Sequence, residues 1–273
     1  MNLAVQAWPT PDALLAHLGA VDEVGGCVIH GLVHTWLNRP ESFRPGTPLL
    51  TAETDGRVAA AAIQASQGKV VFSLGPAEAI LALAAWCDEA GRRPTAMIAP
   101  ESALPILLSR WPGRRTLETT LYRLDQPPAI PDVAGHLRPA TKSEISFFTD
   151  WVATFTVEAH LPPDPKPRTL VEAKIAAGHL FVWEVSSVPV AIAALAGPTP
   201  RSVRMNTVYT PPQFRKRGYG SAAVATLAAQ QFGRGKKVVT LFADRALAHT
   251  NRMYAKMGFQ PVADFADLEI EPA

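Results

Sequence analysis

Cysteine is scarce in this chain: its 273 residues include two, Cys27 and Cys87. Neither stands in a Cys-x-x-Cys or Cys/His cluster, so no metal site is expected. Cys87 lies in an apolar, helix-like run and reads as a small buried hydrophobe. A dominant charge is missing as well. Lys and Arg number 26 and Asp and Glu 24, a net charge of +2. That is too mild to imply a nucleic-acid or membrane partner. No run of about 18 apolar residues is free of charges and breakers, so no membrane-spanning helix is expected. Residues 1–19 lack an early basic cluster and include Pro9, Pro11 and Asp12, unlike a signal peptide. The expected location is the cytoplasm.

Proline, by contrast, is plentiful and punctuates the chain. Residues 126–132 read Gln-Pro-Pro-Ala-Ile-Pro-Asp, which continues neither a helix nor a central strand. This stretch is read as a stiff linker between two domains, 1–126 and 136–273. A second proline-rich stretch, residues 161–167, reads as a surface loop between helices.

After the linker, a short strand at 136–139 leads to Thr141, an N-cap with Glu144 three residues on. Helices come next at 143–158 and 169–177, then a hairpin of strands 180–185 and 188–196. A strand at 203–209, a helix at 218–232 and a strand at 237–242 succeed them. A helix at 246–257 and two terminal strands, 259–262 and 267–270, complete the order. The pattern is α/β, a mixed and mostly antiparallel sheet flanked by helices.

The N-terminal half repeats part of this order: strands at 57–65 and 69–74, helix 77–90, strand 96–99, helix 102–110 and strand 117–124. From Phe72 to Ile98 is 26 positions, and from Met205 to Leu241 is 36. The shortfall falls where the C-terminal half carries a basic, glycine-bearing loop and the N-terminal half has only Gly75-Pro76.

That loop reads Thr210-Pro-Pro-Gln-Phe-Arg-Lys-Arg-Gly-Tyr-Gly-Ser221, after an apolar strand and at the start of a helix. A helix N-terminus offers unpaired backbone N–H groups and the positive end of a dipole. Gly218 and Gly220 let an anion approach the backbone. Arg215, Lys216 and Arg217 add positive charge, and Ser221 a hydroxyl. Together they suit a diphosphate; the alternative is a basic loop that merely opens a helix. No Gly-Lys-Ser/Thr ends the loop, so it is not a Walker loop, and Ala223 stands where Gly-x-Gly-x-x-Gly needs its third glycine.

A second motif is Asn251-Arg-Met-Tyr-Ala-Lys-Met-Gly-Phe259. Asn251 and Tyr254 share a helix face. A tyrosine hydroxyl can protonate a thiolate leaving group; taken alone, Tyr254 reads better as an amphipathic residue capping the core.

In this order, the two motifs resemble those of the GNAT superfamily of N-acetyltransferases. Residues 215–220 look like its pyrophosphate-binding signature, and Asn251, Tyr254, Gly258 and Phe259 like its C-terminal signature. The resemblance covers roughly residues 136–270. It implies a GNAT-like acyltransferase fold, repeated in tandem with a degenerate N-terminal copy that lacks the loop. It also implies acetyl-CoA as cosubstrate and a small-molecule or peptide amine as acceptor. Val208, Tyr209 and Thr210 would hold the pantetheine arm like an added strand. Residues from Arg215 through Lys216, Arg217, Gly218, Tyr219 and Gly220 to Ser221 would bind the diphosphate, and Asn251 the cofactor arm. Tyr254 would protonate the departing thiolate, with no acyl-enzyme.

Many family members carry a glutamate on the strand before the loop, whereas residues 203–209 here hold no carboxylate. Glu184 on a neighbouring strand is the candidate base; Glu158, His160 and Asp244 are others, and a water relay is an alternative. A non-catalytic CoA-binding or sensing module is the competing function. In the N-terminal half, His30, His34, Trp36 and Trp86 read as core or surface residues, or as the lining of a pocket.

Overall fold

The computed structural model describes residues 3–8, 10, 13, 22–38, 49–65, 68–161 and 166–272. The chain divides into two compact units. The first is Met1–Leu121 with Gly197–Thr199 and Val262–Ala273; the second is Tyr122–Ala196 with Pro200–Pro261. The proline-rich residues 126–132 therefore lie inside the second unit, and the last twelve residues of the chain group with the first.

In the first unit, β1 (Leu3–Trp8), β2 (Leu49–Thr54), β3 (Arg57–Gln64) and β4 (Lys69–Phe72) pair antiparallel in that order. Next, β4 pairs parallel with β5 (Ala96–Pro100), and β5 antiparallel with β12 (Gln260–Ile270). Alternation of side chains across the pleat feeds two cores. Leu49, Ala61 and Ile63 pack with Ile29 and Val33 of α1 (Cys27–Asn38). Leu50, Ala60 and Ala62 pack with Ile80 and Leu83 of α2 (Ala77–Glu89) and Leu107 of α3 (Leu104–Arg110). Both cysteines are buried thiols. Burial, followed by the Asp88 charge, pushes Cys87 up to about 11, as an inert core position requires. The link from β4 to α2 is short and tight: a Cβ on Gly75 would lie 2.6 Å from the Ala59 carbonyl oxygen.

Three elements here escaped the sequence reading, namely β1, β2 and α1. The two terminal strands expected at 259–262 and 267–270 are instead one continuous strand, β12. No glycine or proline interrupts residues 262–270, and Phe265 and Ala266 are buried in the middle. β6 (Gly113–Leu124) starts in the first unit and ends in the second.

In the second unit, β7 (His136–Pro139), β8 (Leu180–Val185), β9 (Val188–Ala196) and β10 (Ser202–Tyr209) pair antiparallel in order. β10 then pairs parallel with β11 (Val238–Asp244). Ser186 and Ser187 both take positive φ, 47° and 63°, the backbone of a two-residue hairpin turn whose twist suits β8 and β9. Helices α4 (Ile145–Glu158) and α5 (Pro167–Ala176) cover one face through Phe148, Val152 and Val171. Helix α6 (Tyr219–Gly233) covers the other with an alanine-rich surface, Ala222, Ala223, Val224, Leu227 and Ala228. Small side chains let α6 sit close on β9 and β10. Helix α7 (Ala248–Lys256) comes after β11. The proline-rich loop expected at 161–167 lies largely outside the described residues.

The expected capping box is present. The Glu144 carboxylate accepts from the Thr141 backbone N–H at 2.8 Å, at the 3-10 turn Lys142–Glu144 that leads into α4. Arg138 donates to both Glu144 and Glu184 (2.7 Å each), tying β7, β8 and the start of α4 together.

Candidate active site

β10 and β11 pair from Ser202–Val238 to Met205–Leu241 and no further, although β10 runs to Tyr209 and β11 to Asp244. The two strands therefore splay at their C-terminal ends. On its other side β10 carries a bulge. Asn206 pairs with Ala194 and Tyr209 with Ile192, three steps on β10 against two on β9. The extra residue reverses the direction in which the later side chains point: Val203 and Met205 pack toward α6, whereas Tyr209 packs toward α4. Thr207 takes up the distortion with φ at 51°, a costly conformation for a β-branched residue.

The loop after β10 is folded by a 3-10 turn at Pro212–Phe214, then by positive φ at Lys216 (62°) and Gly218 (82°). Gly218 immediately precedes α6, and among the described residues no side chain caps that helix. The first amides of a helix have no partner within the helix itself. At Gly220 the fit is tight, since a Cβ there would lie 3.0 Å from Thr210 Oγ1.

A cavity of about 570 Å³ opens at this point. It is lined by Val208, Tyr209 and Thr210 of the splayed strand, by Arg215, Lys216, Gly218, Tyr219, Gly220 and Ser221 of the loop and helix start, and by Tyr254 of α7. Phe155 and Glu158 from α4, Ala159 after it, Phe214, and Leu247, His249, Thr250 and Met253 around α7 complete the lining. Sequence reasoning had not singled out most of this last group. Phe155 and Met253 are distinguishable only as apolar positions at helical spacing, and that signal marks every core residue alike.

Tyr254 is 4% exposed, and burial pushes its hydroxyl pKa up. Its ring stands 5.6 Å from that of Phe259 and 6.3 Å from that of Tyr122. Its hydroxyl forms no hydrogen bond among the described residues.

Arg215 has partners of its own. Its Nε donates to the Thr210 carbonyl at 2.8 Å, its guanidinium pairs with Glu158, and it lies 5.8 Å from the Tyr209 ring centroid. It braces the loop against α4. Arg217 does not line the cavity. Nor does Asn251, expected on the cofactor arm. Its Nδ2 donates to the carbonyls of Asp244 (2.8 Å) and Leu247 (3.0 Å), and its Oδ1 accepts from the Tyr122 hydroxyl at 3.0 Å. The side chain instead fixes the turn from β11 into α7.

Glu184, expected as the base, is committed too. It accepts from Arg138 and lies outside the cavity lining, because residue 184 faces β7 at the far side of the sheet. Of the other carboxylates considered, Glu158 lines the cavity in its pair with Arg215. Asp244 accepts from the Ala246 N–H at 2.8 Å and lies 3.7 Å from His160. An unexpected group sits behind β10: Lys174 of α5, 8% exposed, donates to Asn206 Oδ1 at 3.0 Å.

The fold and cavity define an α/β protein with a splayed parallel strand pair and a helix start that opens on the cavity. Residues 145–259 match the family described as the acetyltransferase (GNAT) family. A search of the curated proteins finds no match. Solved structures extend the likeness over the whole chain. A GCN5-related N-acetyltransferase from Sphaerobacter thermophilus shares 18% identity with a TM-score of 0.59, over 97% of this chain and 94% of that one. A GNAT-family acetyltransferase from Colwellia psychrerythraea shares 10% identity with a TM-score of 0.60, over 99% and 100%. A tandem GNAT protein from the clavulanic acid biosynthesis pathway shares 12% identity with a TM-score of 0.54, over 100% of both chains. At these identities the likeness establishes the fold, a mixed and mostly antiparallel sheet flanked by helices, as expected from the sequence. The match to the GNAT family model supports acyl transfer in general. Among the described residues, no helix is long and apolar enough to cross a membrane.

Proposed function

We propose that the second unit transfers an acetyl group from acetyl-CoA directly to a primary amine. The observation that carries this reading is the cavity in which an uncapped helix start, a splayed strand edge and a buried tyrosine meet. The amides from Lys216 to Ser221 hold the diphosphate, assisted by the α6 dipole. Gly218 and Gly220 suit that role because a side chain at either position would meet Val133 (3.2 Å) or Thr210 (3.0 Å). The edge from Val208 to Thr210 takes the pantetheine arm. The amine attacks the thioester carbonyl, the C–S bond breaks, Tyr254 donates its proton to the leaving thiolate, and the proton lost by the amine nitrogen passes through solvent to restore the Tyr254 hydroxyl. A tyrosine whose pKa is raised stays protonated until a thiolate forms beside it. Arg215 and Asn251 act as braces for the loop and for α7.

The first unit is read as a degenerate copy of the same fold. Its β4–α2–β5 crossover matches β10–α6–β11, but its link at Gly75 is packed against β3 and leaves no comparable cradle. A second reading, CoA binding without turnover, draws on one observation: β10 carries no carboxylate, and Glu184 is held by Arg138. Calorimetry with acetyl-CoA and a thiol-release assay over a panel of primary amines separate the two. Binding with thiol release supports transfer. Binding without release on any amine supports the second reading, and absence of binding overturns both.

A further inference from the structure

A lysine ammonium buried without a carboxylate partner is costly, because desolvation disfavours the charged form. Lys174 is such a group. Among the described residues its nitrogen is held only by oxygen dipoles, Asn206 Oδ1 at 3.0 Å and the Leu195 carbonyl at 3.3 Å. Burial, followed by the nearby Arg204 charge, holds its pKa down to about 8. His179 is affected in turn: burial, followed by the Lys174 charge, lowers its pKa. A methionine would fill the position at less cost. The position itself explains the charge. Leu195 of β9 pairs with Met205, and Asn206 with Ala194, the last regular steps before the bulge. Lys174 therefore bridges β9 and β10 where the regular ladder ends and Thr207 takes its strained backbone.

We propose that Lys174 is a positioning residue for acetyl transfer: a single ammonium on Leu195 O and Asn206 Oδ1 fixes the bulge that presents Val208, Tyr209 and Thr210 to the cavity. The inference rests on the reading of that edge as the acetyl-CoA strand. Lys174 does not line the cavity and acts through β10. Its Nζ also fixes the Asn206 carboxamide through Oδ1.

Two variants and three readouts test this. In Lys174→Met, the melting temperature should stay level or rise. Without ligand, amide exchange at residues 207–210 should quicken while exchange in α6 stays the same. Loss of a charge-assisted bond should weaken acetyl-CoA binding by about tenfold in calorimetry. Lys174→Gln, which keeps a donor for Asn206, should fall between the two, and it carries the test alone if the methionine variant does not fold. Unchanged exchange at 207–210 with unchanged affinity overturns the proposal. So does a drop in melting temperature with faster exchange throughout the unit, which would mark a general packing role. If the wild type binds no acetyl-CoA, the proposed function fails, and the ligand-free exchange still decides the role of Lys174.

Discussion

At the scale of residues, the site depends on groups with unequal tolerance for change. Tyr254 is enclosed between Phe259 and Tyr122, so its ring is held by packing while its hydroxyl remains free among the described residues. Tyr254→Phe should therefore leave acetyl-CoA affinity nearly intact and lower kcat by about 100-fold, the scale of a lost proton donor. Calorimetry beside steady-state thiol release checks it, and equal turnover would remove the acid role. Gly218 has no such latitude. At φ 82° any side chain is strained, and Gly218→Glu adds a carboxylate to the anion cradle. Acetyl-CoA binding should become undetectable by calorimetry while the circular dichroism spectrum is retained. That both residues line one cavity was legible in the sequence, because they belong to contiguous motifs. Glu184 and Asn251 lie outside the cavity lining, and the sequence does not show why. A polar side chain advertises its chemistry in sequence but not its partners, and here Arg138, Asp244 and Leu247 had already engaged them.

Among elements, α4 is the one whose ends matter most. Its C-terminal turn delivers Phe155 and Glu158 to the cavity, and its start is fixed by the Thr141–Glu144 box and Arg138. Arg138, as the largest cause, holds the Glu144 carboxyl down to about 2, below its ordinary 4.5. A depressed carboxylate contributes stability that is fully present above the unfolded pKa and is lost as pH falls through the folded one. The difference in melting temperature between the wild type and Glu144→Gln should thus be constant near neutrality, shrink below pH ~4.5 and vanish near pH ~2. Differential scanning calorimetry across that range checks it. The capping box was readable because it is local, four residues with one geometry. The bulge at Thr207 was not, since nothing in Val203-Arg-Met-Asn-Thr-Val-Tyr209 marks an extra residue until β9 is laid beside it. Lys174 stayed hidden likewise: on α5 it looks like one more solvated lysine, and only tertiary packing buries it.

For the whole molecule, the assignment of Val262–Ala273 to the first unit is the main departure from a simple division of the chain near residue 130. The strand in question, β12, pairs with β5 from Phe265–Pro100 to Glu269–Ala96 and sends Ala266, Leu268 and Ile270 into the core beside α2 and α3. A fragment of residues 136–273 would carry that apolar strand without β5. It should aggregate in size-exclusion chromatography under conditions that keep the full chain in solution; a soluble, folded fragment would contradict the division. The tandem order of strands and helices was visible in the sequence, whereas the return of β12 was not, because strand partners across more than 160 residues leave no local trace. The same return sets an order of events on the ribosome. The first unit is the first to be translated, yet one strand of its sheet is made only after the entire second unit has emerged. The early-made unit must therefore wait with β5 uncovered on that side, and the late-made unit has every strand of its β7–β11 sheet in hand first.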